Sequence, residues 1–232
     1  MLATDALSAA STWRPQLFGD KRAATIADPV IEPLWTGPRI LAFVDQDEAT
    51  LTDADGDLIE DQDDIRAAIV EAVGGATLLL EAVLTPEPIR MPADLVTRDL
   101  VTAPKPADTV TQMIVGSRGD RKDRVARHLD EAKARQLGGS DERLALVAVD
   151  LVWLDDESLC DVPLLERKRI LESVVAESHL VRVGIHVKPP VDAWLGSWRS
   201  FGFHRLAYKA ANSRYLPGQK NQEWALAEIP HR

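Results

Sequence analysis

Two long apolar runs, each interrupted by one carboxylate, constrain the fold more than any other feature of the sequence. Residues 77–84 and 144–154 are rich in Leu, Val and Ala, and they carry Glu81 and Asp150 respectively. Runs of this length and composition predict buried strands. Because a buried carboxylate without a partner is costly, Glu81 must face the surface or a cleft, or find a partner elsewhere in the chain.

The rest of the chain predicts strands and helices that come in groups. Further strands are predicted at residues 40–44, 48–52, 179–187, 206–209 and 223–229. Helices are predicted at residues 61–73, 163–175 and 193–201. Hairpin-like neighbours outnumber crossovers, which predicts an α+β fold with mainly antiparallel sheets and flanking helices.

Composition indicates a globular protein of a reducing compartment. The 232 residues are 45% hydrophobic and 28% charged, and no apolar run approaches the ~20 residues that span a bilayer. The N-terminal residues lack the pattern of a signal peptide. The single cysteine, Cys160, excludes an internal disulfide. We therefore expect a cytoplasmic location and no membrane partner.

Charge is distributed unevenly along the chain. The net charge is −10, yet residues 45–87 hold thirteen acidic residues against Arg66 alone. Residues 182–220 hold seven basic residues against Asp192 alone. The basic region could present a face to phosphates, or the charges could simply solvate the surface. Phosphate contacts dominate affinity for nucleic acids, so the overall charge predicts weak binding at best.

No metal site is predicted. Residues 53–57 read Asp-Ala-Asp-Gly-Asp, which is typical of a turn and superficially like a calcium loop. The downstream Glu of an EF-hand is missing, and no Cys/His cluster has zinc spacing.

A series of motifs points to a known family. Residues 32–39 read Glu-Pro-Leu-Trp-Thr-Gly-Pro-Arg and lead into the strand at residues 40–44. This segment resembles the first motif of ATP-dependent DNA ligases, Glu-Pro-Lys-aromatic-Asp-Gly-x-Arg followed by a strand. Later segments resemble the family's further motifs in the right order, at residues 51–58, 79–81, 148–155, 159–167, 204–209 and 214–224. The resemblance implies the nucleotidyltransferase fold of ligases and mRNA-capping enzymes.

The chain departs from these motifs at the residues that the family uses for catalysis. In the family, a lysine attacks the α-phosphorus of ATP and forms lysyl-AMP, which is passed to a DNA 5′-phosphate; that attack needs an amine. Leu34 occupies the position of this lysine. Five further positions differ from the motifs. Thr36 stands in place of the aspartate of the first motif, and His204 in place of the metal-binding carboxylate. Leu226 and Glu228 replace the two phosphate-contacting lysines, and Val149 replaces the adenine-stacking aromatic.

Other positions keep the family's residue type. The resemblance implies that Arg39, Glu81 and Lys209 lie near phosphate, ribose or metal in a nucleotide cleft. ATP and Mg²⁺ are the cofactors of the family, and these replacements leave neither of them certain here. In the basic region we assign nucleic-acid binding to Arg205, Arg214 and Lys220.

These observations predict one ligase-like nucleotidyltransferase domain over residues 1–232, with a surface insertion at about residues 91–140 and no OB-fold domain. We expect a non-catalytic protein that binds a nucleotide, a nucleic acid or a DNA-repair or ligase protein. The alternative is an active ATP-dependent DNA ligase or other nucleotidyltransferase with a relocated nucleophile.

Overall fold

The structure is a computed structural model that describes residues 5–86 and 144–230. The predicted insertion at residues 91–140 lies outside the described residues. Helices are α1 (Ala6–Thr12), α2 (Asp63–Val73), α3 (Leu164–Val174) and α4 (Asp192–Ser200). Strands are β1 (Leu17–Phe18), β2 (Pro29–Pro33), β3 (Arg39–Asp45), β4 (Glu48–Thr52), β5 (Leu78–Pro86), β6 (Leu144–Leu154), β7 (Glu157–Ser158), β8 (Val181–Val183), β9 (Arg205–Ala210), β10 (Lys220–Asn221) and β11 (Trp224–Glu228).

A six-stranded sheet forms the centre of the described chain. Its strands run in the order β4-β3-β5-β6-β7, and β8 pairs with β6 in parallel while the other pairs are antiparallel. One face packs against α2 and α3, and the other carries α1. Because both faces are covered, β5 and β6 are apolar along their length instead of alternating.

A smaller antiparallel sheet has the order β11-β9-β2. In its register Glu32 lies opposite Ala207, and Val30 lies opposite Lys209. The short strands β1 and β10 pair in parallel. The predicted α+β fold with mainly antiparallel sheets is confirmed.

Most predicted elements are present, and the structure adds α1 and the two-residue strands β1, β7 and β10, which were not predicted. The strand predicted at residues 179–187 is wrong in length, because only Val181–Val183 pair with β6. Val187 forms an isolated bridge to Ile31 instead. The strand β2 was not predicted, because prolines occupy both of its ends and proline cannot donate to a sheet ladder. It is tolerated at the edge of the small sheet.

The loop at residues 53–57 is a turn, as predicted. A carboxylate oxygen of Asp53, Oδ1, accepts hydrogen bonds from the backbone N–H groups of Asp55, Gly56 and Asp57 at 2.9, 2.9 and 3.0 Å. These bonds use the aspartate to hold its own loop. Residues 5–86 and 144–230 contain no helix with the length and apolar character to cross a membrane.

Candidate functional site

A cleft of about 240 Å³ draws its walls from strands of both larger sheets. Its residues come from β1, β2, β3, β5, β6, β9, β11 and the loop after β2. They are Phe18, Glu32, Pro33, Leu34, Trp35, Gly37, Arg39, Glu81, Val83, Val149, Ala207, Lys209 and Leu226. The structure thus brings together Arg39, Glu81 and Lys209, the three residues assigned to nucleotide binding.

Glu81 sits in the middle of β5 and is buried. Leu41 lies opposite it on β3, which places Arg39, two residues earlier, on the same face. The Nε atom of Arg39 donates to Oε1 of Glu81 at 3.0 Å, and Nη2 donates to the same oxygen and to the carbonyl of Gln16. The Tyr215 hydroxyl donates to Oε2 of Glu81 at 2.6 Å. The embedded carboxylate therefore has a cation and a phenol as partners.

Glu32 forms a second buried cluster at the end of β2. Its Oε1 lies 2.7 Å from Nζ of Lys168 and its Oε2 lies 2.9 Å from Nζ of Lys209. Burial opposes ionisation of Glu32, but the two ammonium groups outweigh it and lower its pKa to about 2. The Lys209 ammonium also lies 4.3 Å from the ring centroid of Trp224. One carboxylate and an aromatic face hold this lysine in place.

Burial and neighbouring charge act against each other on Lys209. Burial lowers its pKa and the nearby Lys168 adds to that effect, while the carboxylate of Glu32 opposes both. The net direction is down. A lysine of lowered pKa is neutral more often and is then a better nucleophile.

Asp150, the carboxylate embedded in β6, forms a third buried pair. Arg167 of α3 donates from Nε to Oδ1 at 2.9 Å and from Nη2 to Oδ2 at 2.8 Å. Both side chains have no exposed surface. This bidentate geometry is the strong form of an ion pair. It ties α3 to the sheet, and neither residue lines the cleft.

Leu34 lies directly after β2, at the position where the motif has its nucleophilic lysine. Its N–H donates to the carbonyl of Arg205 at 2.9 Å, and its half-buried side chain lines the cleft. Gly37 closes the same loop with φ +139°, where a Cβ would lie 1.8 Å from the carbonyl oxygen of Leu84. The loop thus approaches β5 more closely than any other residue type allows.

The far part of the cleft is apolar. Trp35 packs on Val83, Val147 and Val149, and its ring meets that of Phe203 edge-on with centroids 5.0 Å apart. Val149 and Leu226 also line the cleft, at positions where the motifs have an aromatic residue and a lysine.

The three residues assigned to nucleic-acid binding lie on separate elements, and each has its own carboxylate. Arg205 pairs with Glu228 at 3.1 Å, Arg214 with Asp161 at 3.2 Å, and Lys220 with Asp20 at 3.0 Å. All three are exposed. Pairing lowers the positive potential that each presents to a phosphate.

The sequence analysis did not assign Glu32, Lys168 and Tyr215 of the buried clusters as site residues. The signal that could have found Lys168 is the inward face of α3, where Leu164, Arg167, Lys168 and Leu171 are buried together. Among the described residues no group of three or more His, Cys, Asp or Glu side chains is placed to hold a metal ion.

Solved structures of DNA ligases have a similar fold. The ligase domain of LigD from M. tuberculosis superposes with a TM-score of 0.61 at 20% identity, covering 94% of this chain and 60% of that one. A mycobacterial DNA ligase D complexed with ATP and MES superposes with a TM-score of 0.60 at 21% identity, covering 92% of this chain and 59% of that one. No protein-family model matches the sequence, and no curated protein matches it.

The chain has the fold of the nucleotidyltransferase domain of ATP-dependent DNA ligases. The chain spans about three fifths of the length of those ligase structures.

Proposed function

We propose that this protein is a non-catalytic member of the ligase-like fold and that it acts by binding. The observation that carries the proposal is the side chain of Leu34 in the cleft, at the position of the lysine nucleophile. An alkyl side chain has no lone pair with which to attack a phosphorus.

The surrounding charges support the same conclusion. Transfer of a nucleotidyl group depends on cations that stabilise the charge of the phosphates. The cations that line the cleft are Arg39 and Lys209, and each is held by a carboxylate of the fold, Glu81 and Glu32 respectively. Freeing either cation for a phosphate would take from a buried carboxylate one of its two partners, leaving Glu81 with Tyr215 or Glu32 with Lys168.

A labelling experiment tests the proposal. The protein is incubated with Mg²⁺ and ATP labelled at the α-phosphate, denatured, and analysed for protein-linked label and for an AMP-sized mass increment. We expect neither. The covalent adduct would show that the protein is an enzyme. An active ATP-dependent DNA ligase, treated in parallel, shows that an adduct would be detected.

The second candidate is an enzyme with a relocated nucleophile, and the lowered pKa of Lys209 favours it. Lys209 is the lysine of the cleft and is 3% exposed. If a labelled adduct forms, this candidate requires the label to map to Lys209 and to disappear in Lys209→Arg. We place it second, because the contacts to Glu32 and Trp224 compete with attack on a substrate.

The partner class follows from the cleft and the surface separately. A small ligand is proposed for the cleft, since a mycobacterial DNA ligase D of the same fold is complexed with ATP. A nucleic acid or a DNA-repair or ligase protein is proposed for the exterior. The separate carboxylate partners of Arg205, Arg214 and Lys220 support only weak attraction to a nucleic acid.

A further inference from the structure

Two ammonium groups share one buried carboxylate beside the cleft. Glu32 lies 2.7 Å from Nζ of Lys168 through Oε1 and 2.9 Å from Nζ of Lys209 through Oε2. With the pair of Arg39 and Glu81, these side chains form a cluster of three cations and two carboxylates. Because like charges held this close disfavour each other, the cluster favours loss of a proton from one of the two lysines.

Lys209 is the lysine that is better placed to lose this proton. Lys168 lies against Glu32 and also donates to the backbone carbonyl of Val149 at 2.6 Å, so two oxygens hold its ammonium. Among the described residues, Lys209 has one oxygen partner, Oε2 of Glu32, and the face of Trp224. Burial and then the charge of Lys168 lower the pKa of Lys209, against the carboxylate of Glu32. Of the two lysines, Lys209 lines the cleft, where a ligand can reach it.

The carboxylate of Glu32 distinguishes between the electrophiles that an amine can attack. Attack of Lys209 on phosphorus would leave an uncharged nitrogen and bring a phosphate anion beside Glu32. With an aldehyde, the ammonium gives up one proton and the neutral amine adds to the carbonyl carbon. The carbonyl oxygen then takes up two protons and leaves as water. The product is a protonated imine, whose N–H keeps a positive charge beside Glu32.

The walls of the cleft determine which carbonyl compound fits. Five wall residues present apolar surface to the ligand: Pro33, Leu34, Val83, Val149 and Leu226. Burial of an apolar body against them is favourable, whereas burial of a hydroxyl group without a partner is costly. The volume of about 240 Å³ lies below the roughly 300–1,000 Å³ of drug-sized ligand sites, so the ligand is small.

We propose that Lys209 is a covalent attachment site for a small uncharged aldehyde with an apolar body, bound reversibly as a protonated imine that pairs with Glu32. Lys168 is a positioning residue, since it shares Glu32 and keeps a second positive charge beside Lys209. The aldehyde is released unchanged when the imine is hydrolysed. The proposal rests on the non-catalytic binding role above and specifies its ligand class.

Trapping of the imine with a reductant tests the attachment site. The protein is incubated at pH 7 with benzaldehyde and sodium cyanoborohydride, which reduces the imine to N-benzyl-lysine, and peptide mass spectrometry follows each lysine. We expect Lys209 to react at least about tenfold faster than Lys188 and Lys220, because the cleft holds the carbonyl beside the amine. Lys188 and Lys220 are exposed, and each pairs with one carboxylate. A rate at Lys209 no higher than at these two lysines would overturn the proposal.

Two controls attribute the fast reaction to the folded cleft. In urea-unfolded protein, Lys209 should react at the same rate as Lys220, and an excess that persists there would contradict the proposal. Lys209→Arg keeps a cation for Glu32 but has no amine, and we expect it to show no fast site. The matched variant Lys220→Arg should keep the fast reaction at Lys209. Transfer of the fast reaction to Lys168 in Lys209→Arg would show that Lys168 is the nucleophile and that the assignment is wrong.

A second aldehyde tests the ligand class. Glyceraldehyde carries hydroxyl groups that the apolar walls leave without partners. We expect the ratio of the rates at Lys209 and Lys220 to be at least about threefold lower with glyceraldehyde than with benzaldehyde. Equal ratios for the two aldehydes would contradict a preference for an apolar body.

The trapping and the ATP-labelling experiments separate the two proposals. If Lys209 is benzylated rapidly and labelled ATP also gives a covalent adduct, the carbonyl site stands and the non-catalytic role is wrong. If neither reaction occurs, the non-catalytic role stands and the carbonyl site is wrong.

Discussion

The hydroxyl oxygen of Tyr215 lies 2.6 Å from Oε2 of Glu81, a residue 134 positions earlier in the chain. Burial and the Glu81 carboxylate raise the pKa of Tyr215 well above its usual value, so the phenol keeps its proton and remains a donor. The contact joins the loop before β10 to the centre of the large sheet.

Tyr215→Phe should lower the free energy of unfolding by about 1–3 kcal/mol, because it removes one donor from a buried carboxylate. Urea unfolding measures the change. Tyr208→Phe is the matched control, since the Tyr208 hydroxyl makes no hydrogen bond in the described part of the chain; we expect a change within about 0.5 kcal/mol. Equal effects of the two substitutions would mean that the contact to Glu81 contributes nothing to stability.

Glu32→Gln should be among the most damaging single substitutions. It leaves the buried ammonium groups of Lys168 and Lys209 without their shared carboxylate, at a cost of about 3–5 kcal/mol. The comparison variant is Glu228→Gln, which breaks the exposed pair with Arg205 and should cost less than about 1 kcal/mol. A small effect of Glu32→Gln in chemical denaturation would show that the cluster is hydrated and not dry.

Stability should depend on pH through His186. Burial, followed by the charges of Lys168 and Lys209, lowers its pKa to about 4 from an ordinary 6.5, against the opposing carboxylate of Glu32. The Oε1 atom of Glu172 also lies 3.6 Å from Nδ1. The unfolded chain binds the proton more readily, so the stabilisation is present above pH 6.5 and is lost as pH falls toward 4.

Between pH 7 and pH 5 the resulting loss should be about 1–2 kcal/mol. Unfolding curves at a series of pH values measure it. His186→Asn should remove this part of the dependence. Glu32, whose pKa is about 2 in the fold and 4.5 ordinarily, affects stability only below that range. If the free energy of unfolding of His186→Asn depends on pH as that of the wild type does, another group causes the effect.

Restoring the lysine alone should not restore ligation. Leu34→Lys places an amine in the cleft, but Thr36, His204, Leu226 and Glu228 still lack the groups that the ligase motifs use for the base, metal and phosphates. Sealing of a nicked duplex by this variant, followed by gel electrophoresis, tests the expectation. Detectable sealed product would show that these replacements matter less than the nucleophile.

Binding to nucleic acid should be weak and strongly dependent on salt. We expect dissociation constants near the non-specific range of about 10⁻⁴–10⁻⁶ M. The affinity should fall as the salt concentration rises. Fluorescence anisotropy with nicked and single-stranded DNA measures it. Replacing Arg205, Arg214 and Lys220 by Ala should remove most of the binding. Replacing Arg66 and Arg169, which pair with acids one turn away, should not. Tight binding whose affinity does not change with salt would contradict binding of nucleic acid through these three basic residues.

Local sequence pattern was sufficient for much of the fold. The apolar runs predicted β5 and β6, and Leu144–Leu154 coincides with the strand that the structure shows. The predicted helix at residues 61–73 begins two residues later, at Asp63, and ends at Val73 as expected, where Gly74 adopts the left-handed conformation. These features depend on neighbours within a few positions of one another.

The residues of the candidate site were only partly predictable from the sequence. The ligase motifs identified Arg39, Glu81, Lys209 and the leucine at position 34 from their order in the chain, and the structure brings all four to one cleft. The order of the motifs could not predict which side chains pair with these residues. Lys168 reaches Glu32 from α3, and Tyr215 reaches Glu81 from a distant loop.

The sequence by itself determined which strands are buried, which carboxylates need partners, and that residue 34 is a leucine where the ligase motif that the segment resembles has a lysine. Only the tertiary structure decided that the charges of the cleft are paired with one another. Residue types set what each side chain can do, whereas pairing depends on distances between atoms of strands and helices far apart in the chain. Here those distances place Lys209 at 2.9 Å from Glu32, a carboxylate that it shares with Lys168.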